Sequence, residues 1–414
     1  MLLDLPGAIH RLRHADSTAL FLALAVNAFG AGMFIPFALI YYKAATGLPV
    51  ATIGLTLTAA TLVTLTVTPV TGALVDRFGA RRLVVVGNCL EATGFAAYLA
   101  VSSAGSLFLA ALIATAGTRM FFASFSTLIA ESVSGGDRDR WYGLVGITQS
   151  IGARLSGILA SLVLGAAGVG GFRVIIVATI GCLLVAALLI GRGQSRVAPD
   201  REAGATASAG YRAILRDRVF LAVVGSNLLV VLCSMLTGLG FAVYATQALR
   251  APYWSIGAIG AAQTALVILL QTRISGRMRG VRRTRTMTLA GAIWIVAALG
   301  FAAAMLIPSR VIVPWLFLAA GTYTVATLFY TPASRALAAG LGPLEARGRY
   351  IAVYELSWGI AAAVSPAAFG VMYAWAPSAP WLAMAIALAA AVAILLVAER
   401  GIPLRHNLPP ADRI

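Results

Sequence analysis

Apolar residues run along this chain in stretches of membrane length, broken by short polar loops. Twelve such runs cover residues 18–42, 52–75, 83–102, 106–131, 141–166, 172–191, 219–246, 253–272, 285–306, 311–334, 349–374 and 379–398. A helix needs about 20 apolar residues to cross the ~30 Å hydrocarbon core of a bilayer. In lipid each backbone N–H and C=O must be bonded within its own segment, so each run predicts a membrane-spanning helix. Pro69 in the second run and Pro366 in the eleventh predict a break or kink, because proline has no N–H to return to the preceding turn. The pattern therefore predicts an all-α membrane protein of twelve transmembrane helices. The longest polar stretch, 191–217, is rich in Arg, Gly, Ala and Ser and divides the helices six and six. The expected organisation is one bundle over 1–191, a linker over 192–217, and a second bundle with its tail over 218–414. A short amphipathic helix is expected near 211–218.

Composition agrees with the pattern. Of 414 residues, 60% are hydrophobic and 11% charged, with mean hydropathy +0.91. A soluble domain carries about 25% charged residues. The net charge of +17 would suit nucleic acid, but the arginines lie in loops between apolar runs rather than on one face or tail. No nucleic-acid partner is expected. With the N-terminus inside, the outer loops hold only Lys43, Arg173, Arg250 and Arg310. Arg119 and Arg154 lie within apolar runs, and the other 25 of the 31 basic residues face the cytoplasm. That asymmetry predicts cytoplasmic termini in a cell membrane. The first seventeen residues lack the basic, apolar and small-residue order of a cleaved signal, so the first run is expected to stay as a helix. Cys89, Cys182 and Cys233 fall in apolar runs without paired spacing, which predicts buried fillers rather than a disulfide or metal framework. No phosphate-binding G-x-x-x-x-G-K-[ST] loop, metal cluster or nucleophile triad occurs, so neither a cofactor nor an enzyme is expected.

One loop stands out. Residues 72–82 read Gly-Ala-Leu-Val-Asp-Arg-Phe-Gly-Ala-Arg-Arg between the second and third runs. Gly72 and Gly79 are expected to permit a tight reversal. Arg77, Arg81 and Arg82 would hold the loop at the cytoplasmic face, and Asp76 could meet an arginine or a helix N-terminus. The second half echoes it: Gly79-Ala80-Arg81-Arg82 returns as Gly280-Val281-Arg282-Arg283, with Arg277 where Asp76 stands. Arg138-Asp139-Arg140-Trp141-Tyr142 likewise parallels Arg347-Gly348-Arg349-Tyr350-Ile351.

The 72–82 segment resembles the G-x-L-x-D-R-x-G-x-R-R loop of major facilitator superfamily (MFS) transporters, and the parallel six-helix repeat is their arrangement. The resemblance implies an MFS fold of two pseudo-symmetric bundles, alternating access, and a substrate cavity lined chiefly by the first and fourth helices of each half. Cavity candidates are then Asn27, Phe34, Phe37, Tyr41, Asn227, Met235, Tyr244, Tyr323, Thr327 and Tyr330. The loop residues, with Glu131 at the end of the fourth helix, are implied as a cytoplasmic gate. Asp76 would meet the start of the eleventh helix near 347–350.

Charged groups inside a bilayer cost several kcal/mol unless paired or hydrated, so each one invites a functional reading. Four fall within the runs: Glu91, Arg119, Arg154 and Glu355. Arg119, in Gly117-Thr118-Arg119, resembles the arginine motif of drug–proton antiporters. Arg154 sits in a segment similar to their G-P-x-x-G-G motif, with Ala153 in place of the proline and Ser156 in place of a glycine. Glu355 would lie roughly 9 Å inside the eleventh helix at 1.5 Å per residue. Glu91, in the peripheral third helix, is expected to take part in a structural pair. No histidine lies in a run, so proton coupling would fall to carboxylates. The threonine stripe Thr61, Thr64, Thr68 and Thr71 reads as a helix–helix contact. The resemblance implies proton-coupled efflux of small amphipathic compounds by a monomer, with substrate, protons and membrane lipid as its partners. Nutrient uptake, or a receptor that kept the fold, remain the alternatives, because a fold does not fix a function.

Overall fold

The computed structural model describes residues 15–132, 152, 155–192, 214–278, 280–341 and 347–408. Arg154 lies outside the described residues, as do the side chains of Asp76 and Glu131. The chain divides into two compact units, Met1–Arg201 and Glu202–Ile414.

In the first unit α1 (Ala15–Phe34) passes through a 3₁₀ turn at Ile35–Phe37 into α2 (Ala38–Thr46). The second run forms two helices, α3 (Val50–Thr64) and α4 (Val67–Phe78). At the break, Leu65 and Thr66 donate to Leu62 and Val63, the tighter i→i+3 pattern. The Thr64 and Thr66 hydroxyls bond carbonyls three residues back, the side-chain competition that bends helices. Pro69 falls in the first turn of α4, where an amide has no intrahelical partner to lose. Then come α5 (Ala80–Tyr98), α6 (Ala104–Ser132), α7 (155–167) and α8 (Gly171–Gly191). A straight helix over 155–191 would be about 55 Å long, too long for one crossing. Gly168, with φ of +57°, interrupts it in a 3₁₀ turn between α7 and α8.

The second unit contains α9 (Arg218–Val243), which ends in a π turn at Tyr244–Ala248, then α10 (Tyr253–Arg277) and α11 (Arg283–Ala303). It continues with α12 (Ile312–Leu341), α13 (Arg347–Trp375), α14 (Ala379–Glu399) and a terminal α15 (Leu404–Asn407). Pro366 stays inside an unbroken α13, and Pro332 inside α12. Asp217 caps α9 by accepting from the Phe220 amide at 2.9 Å. Of the short helix expected near 211–218, residues 211–213 lie outside the described set, Ile214 is helical, and 215–216 form a turn leading into this cap.

Among the described residues, nine helical stretches are long and apolar enough to cross a membrane. One of these is the α7–α8 pair, and the α3–α4 pair and α5 bring the spans to the twelve expected. Large apolar side chains turn outward on most of them, as at Leu109, Leu188, Val296, Leu318 and Ile386.

The same pairings recur in each unit: third helix with fourth, first with sixth, third with sixth, and second with fourth. Association in lipid depends on close backbone approach at small residues, and α5 against α6 illustrates it. A Cβ on Gly87 would lie 2.7 Å from the Phe121 nitrogen, and one on Gly94 or Gly117 would strike the backbone of Ala114 or Glu91. Elsewhere the cores are aromatic. Phe34, Tyr41, Tyr42, Phe95 and Tyr98 pack together in the first unit. Tyr244, Phe301 and Trp381 do so in the second. Of the cysteines, Cys233 is buried and Cys182 half-buried, whereas Cys89 is exposed because it points off the outer face of α5.

Candidate functional site

Two of the buried polar groups in the first unit lie on α5. Asn88 and Glu91 are three residues apart and so share a helix face. The Asn27 amide on α1 donates to Asn88 Oδ1 at 2.9 Å, while the buried Asn88 Nδ2 has no partner among the described residues. Glu91 is 6% exposed and meets the Thr118 hydroxyl of α6. No cation pairs with it among the described residues, so the expected ion pair is not found there. Arg119 follows Thr118 but is rotated about 100° around α6. It faces α3, where its Nε donates to Thr64 Oγ1 at 3.1 Å. That bond gives the threonine stripe one interhelical contact. Phe34 and Phe37 are buried in the unit's core, and Tyr41 donates to the Tyr98 carbonyl.

In the second unit one amide gathers three helices. Asn227 Oδ1 on α9 accepts from Tyr330 on α12 at 3.1 Å and from Tyr354 on α13 at 2.8 Å. Its Nδ2 donates to Ser357 at 2.7 Å, and Ser357 donates to the Tyr354 carbonyl. All four residues are buried. Tyr323 donates to Ser234 at 3.1 Å and Thr327 bonds back to the Tyr323 carbonyl; both are half-buried, as is Met235. Tyr244 is fully buried and donates to the Phe301 carbonyl at 2.7 Å. Glu355, beside Tyr354 in sequence, points the other way and is exposed.

The two arginine loops can be compared directly. Gly79 and Gly280 both have φ of +84°, a conformation that glycine alone adopts without strain. Gly72, by contrast, is helical within α4, and no described atom lies near a Cβ placed on it. The reversal therefore needs only Gly79. Arg81 Nη1 donates to the Ile190 carbonyl at the end of α8 at 2.7 Å, but its buried Nε has no partner among the described residues. The Arg77 guanidinium lies over Phe78, 5.2 Å from the ring centre, and Arg82 is exposed. In the second loop Arg282 and Arg285 converge on one oxygen of Glu399, at the end of α14, at 3.1 and 3.0 Å.

A family model described as Major Facilitator Superfamily matches residues 20–331, three quarters of the chain. The chain belongs to the Major Facilitator Superfamily. As a member of that superfamily it is a multi-pass membrane transporter of small molecules, not an enzyme. Among solved structures it is similar to the nucleoside transporter NupG, with TM-score 0.71 at 12% identity over 94% of this chain and 98% of that one. A bacterial homologue of the iron transporter ferroportin scores 0.73, at 14% identity over 94% and 99% of the two chains. At these identities the likeness speaks for the MFS fold alone. Multidrug resistance protein MdtH of Klebsiella pneumoniae is 31% identical over 93 residues, and that of Salmonella typhimurium 30%. The match spans 22% of this chain and 23% of each relative.

Asn88, Tyr354, Ser357 and Glu399 are among the structural polar groups that the sequence reading did not single out. Spacing could have found three of them. Asn88 is three residues from Glu91, and Tyr354 and Ser357 are four and seven from Tyr350.

Proposed function

We infer that this MFS protein exports small amphipathic compounds in exchange for protons, from a cell membrane with both termini in the cytoplasm. The observation that carries this reading is Glu91: a carboxyl enclosed between α5 and α6 with a threonine hydroxyl and, among the described residues, no cation beside it. A buried carboxyl in apolar surroundings binds and releases a proton as its exposure to water changes. The partial likeness to MdtH supports drug-like substrates. Glu355 on the open face of α13 is the second proton candidate. Arg119 and Arg154 are proposed to bias the protonation of these carboxyls.

In this reading the 72–82 loop is the gate. Asp76, Arg77, Arg81 and Arg82, with Gly79 as the pivot and Glu131 as a further acid, close the cytoplasmic side and exchange partners as the bundles rock. Asn27, Asn227, Tyr323, Thr327 and Tyr330 are proposed to border the substrate path. Phe34, Phe37 and Tyr244 would shape it from the bundle cores.

The test is flux in proteoliposomes with an imposed proton gradient, using a panel of dyes, antibiotics, nucleosides and sugars. Gradient-dependent export of the amphipathic dyes is expected, with coupling lost in Glu91→Gln. Gradient-independent flux, or flux of the sugars and nucleosides alone, would overturn the assignment. An unchanged pH response in both Glu91→Gln and Glu355→Gln would clear these carboxyls of the coupling role.

A further inference from the structure

In the first unit, the carboxyl proposed to bind the proton and the amide proposed to border the substrate path stand on different helices, Glu91 on α5 and Asn27 on α1. Helix α1 is seated chiefly on α8. A Cβ on Gly30 would lie 2.7 Å from Cys182 Cβ, and the Thr179 hydroxyl donates to the Gly30 carbonyl at 3.1 Å. Toward α5 it reaches through the amide bond from Asn27 to Asn88.

Asn88 is fully buried. Its Oδ1 accepts from Asn27, and its Nδ2 has no partner among the described residues. The cost of a buried unpaired donor favours any arrangement that gives it an acceptor. Glu91 is the next residue on the same face of α5, about 4.5 Å along the axis. Residues so spaced have Cβ atoms about 5–6 Å apart, within reach of an amide and a carboxyl side chain. The unit's other buried unpaired groups among the described residues are farther off. Arg81 is about 15 Å down α5 from Glu91. Ser124 is about 10 Å along α6 from Gly117, which abuts Glu91.

Ionisation changes what Glu91 needs. A protonated carboxyl donates one bond, whereas a carboxylate only accepts, at up to about four positions. The Thr118 hydroxyl gives its one proton to the Ala114 carbonyl at 3.0 Å, so its oxygen suits the acid form. The cations on the neighbouring helices are engaged elsewhere. Arg119 faces Thr64, Arg77 lies over Phe78, and Arg173 stands by Tyr41. Cys182 lies against Gly30, and Tyr98 is two turns along α5. The anion is therefore short of donors, and Asn88 Nδ2 is a donor short of an acceptor. The amide group is planar, so turning Nδ2 toward Glu91 carries Oδ1, the atom that Asn27 holds, with it.

We propose that Asn88 is a positioning residue that relays the protonation state of Glu91 to α1. When Glu91 gives its proton to water, the Asn88 amide turns to donate to the carboxylate, and the bond from Asn27 is remade. The relay rests on the reading of Glu91 as the proton-binding group. It adds the means by which that group, on a helix away from the substrate path, acts on a helix beside it.

The chain has four asparagines, Asn27, Asn88, Asn227 and Asn407. Labelling their side-chain nitrogens gives four amide signals in solid-state NMR of the full chain in lipid, and labelling glutamate carboxyls reports Glu91, identified by its loss in Glu91→Gln. As pH is varied, the Asn88 and Asn27 signals are expected to shift with the midpoint of the Glu91 carboxyl, while Asn227 and Asn407 stay fixed. Both shifts should be lost in Glu91→Gln. In Asn88→Leu the Asn27 signal should remain but no longer shift. If the leucine variant fails to fold, the wild type against Glu91→Gln still decides the matter. An Asn27 signal that stays fixed in the wild type while Glu91 titrates, or still shifts in Asn88→Leu, would overturn the relay and leave the proton site standing. A Glu91 carboxyl that does not titrate would remove the proton site and the relay together. Titration of both amides without gradient-dependent flux would uphold the relay and refute proton exchange.

Discussion

The loops after the second helix of each half begin alike and end differently. Both turn on a glycine at φ +84° and follow it with two arginines. In the first half, Arg81 reaches a neutral carbonyl at the end of α8, and its buried Nε has no partner among the described residues. In the second, Arg282 reaches a carboxylate at the end of α14, and Arg285 joins it. The Asn407 amide adds a bond to Thr284 Oγ1 at 2.9 Å, fastening α15 to the same corner. An unpaired buried donor costs about 1–3 kcal/mol, so among the described residues the first loop has one donor unsatisfied where the second is tied to an acid. The repeat has kept the turn and changed the chemistry. On the proposed function, the first loop is the one that changes partners and the second anchors its bundle.

Substitutions can break or sharpen this contrast. The largest effect is expected from Asp76→Asn, which should abolish flux in proteoliposomes while the protein elutes as a folded monomer. Arg277→Asn, at the matching place in the second half, should transport at close to the wild-type rate. Near-normal flux in Asp76→Asn would remove the gate from the proposal. Next come the pivots: Gly79→Val and Gly280→Val should each cost about 1–3 kcal/mol, because a β-branched residue is strained at positive φ. Thermal unfolding in detergent should show similar losses for the two, with only the first also slowing transport.

Asn227→Ala should cost about 2 kcal/mol, since it leaves the Tyr330 and Tyr354 hydroxyls without their acceptor. Asn27→Ala should cost less, about 1 kcal/mol, because Asn88 loses a single bond. The same unfolding experiment separates them. Smallest of all, Glu399→Gln should cost about 1 kcal/mol or less and leave flux intact. Arg282 and Arg285 are 46% and 61% exposed, so water screens the pairs.

The fold was legible because lipid leaves the backbone no alternative: twelve apolar runs of bilayer length permit only twelve helices. The break at 65–66 was readable as far as Pro69 signalled it. Its position was set instead by the Thr64 and Thr66 hydroxyls, a choice that an apolar run does not reveal. Pro366 gave the same signal and produced no break, because the surrounding helix holds α13 continuous. Within the candidate sites, charge drew attention to Glu91, Arg119 and Glu355. Which carboxyl is enclosed depends on facing, and one helical position was enough to separate the buried Tyr354 from the exposed Glu355. Thr118 meets Glu91, yet the rotation of α6 by one residue turns Arg119 to Thr64 instead. Glu399 read as the start of a tail, and its role emerged only once α14 and α11 stood side by side.

The contrast between the loops is tested most directly by hydrogen–deuterium exchange on the reconstituted protein, with and without a transported dye. Amides over 79–84 should change their exchange rate on adding the dye, while those over 280–285 stay the same. Equal changes in both loops, or a change confined to 280–285, would contradict the assignment of the first loop as the moving gate.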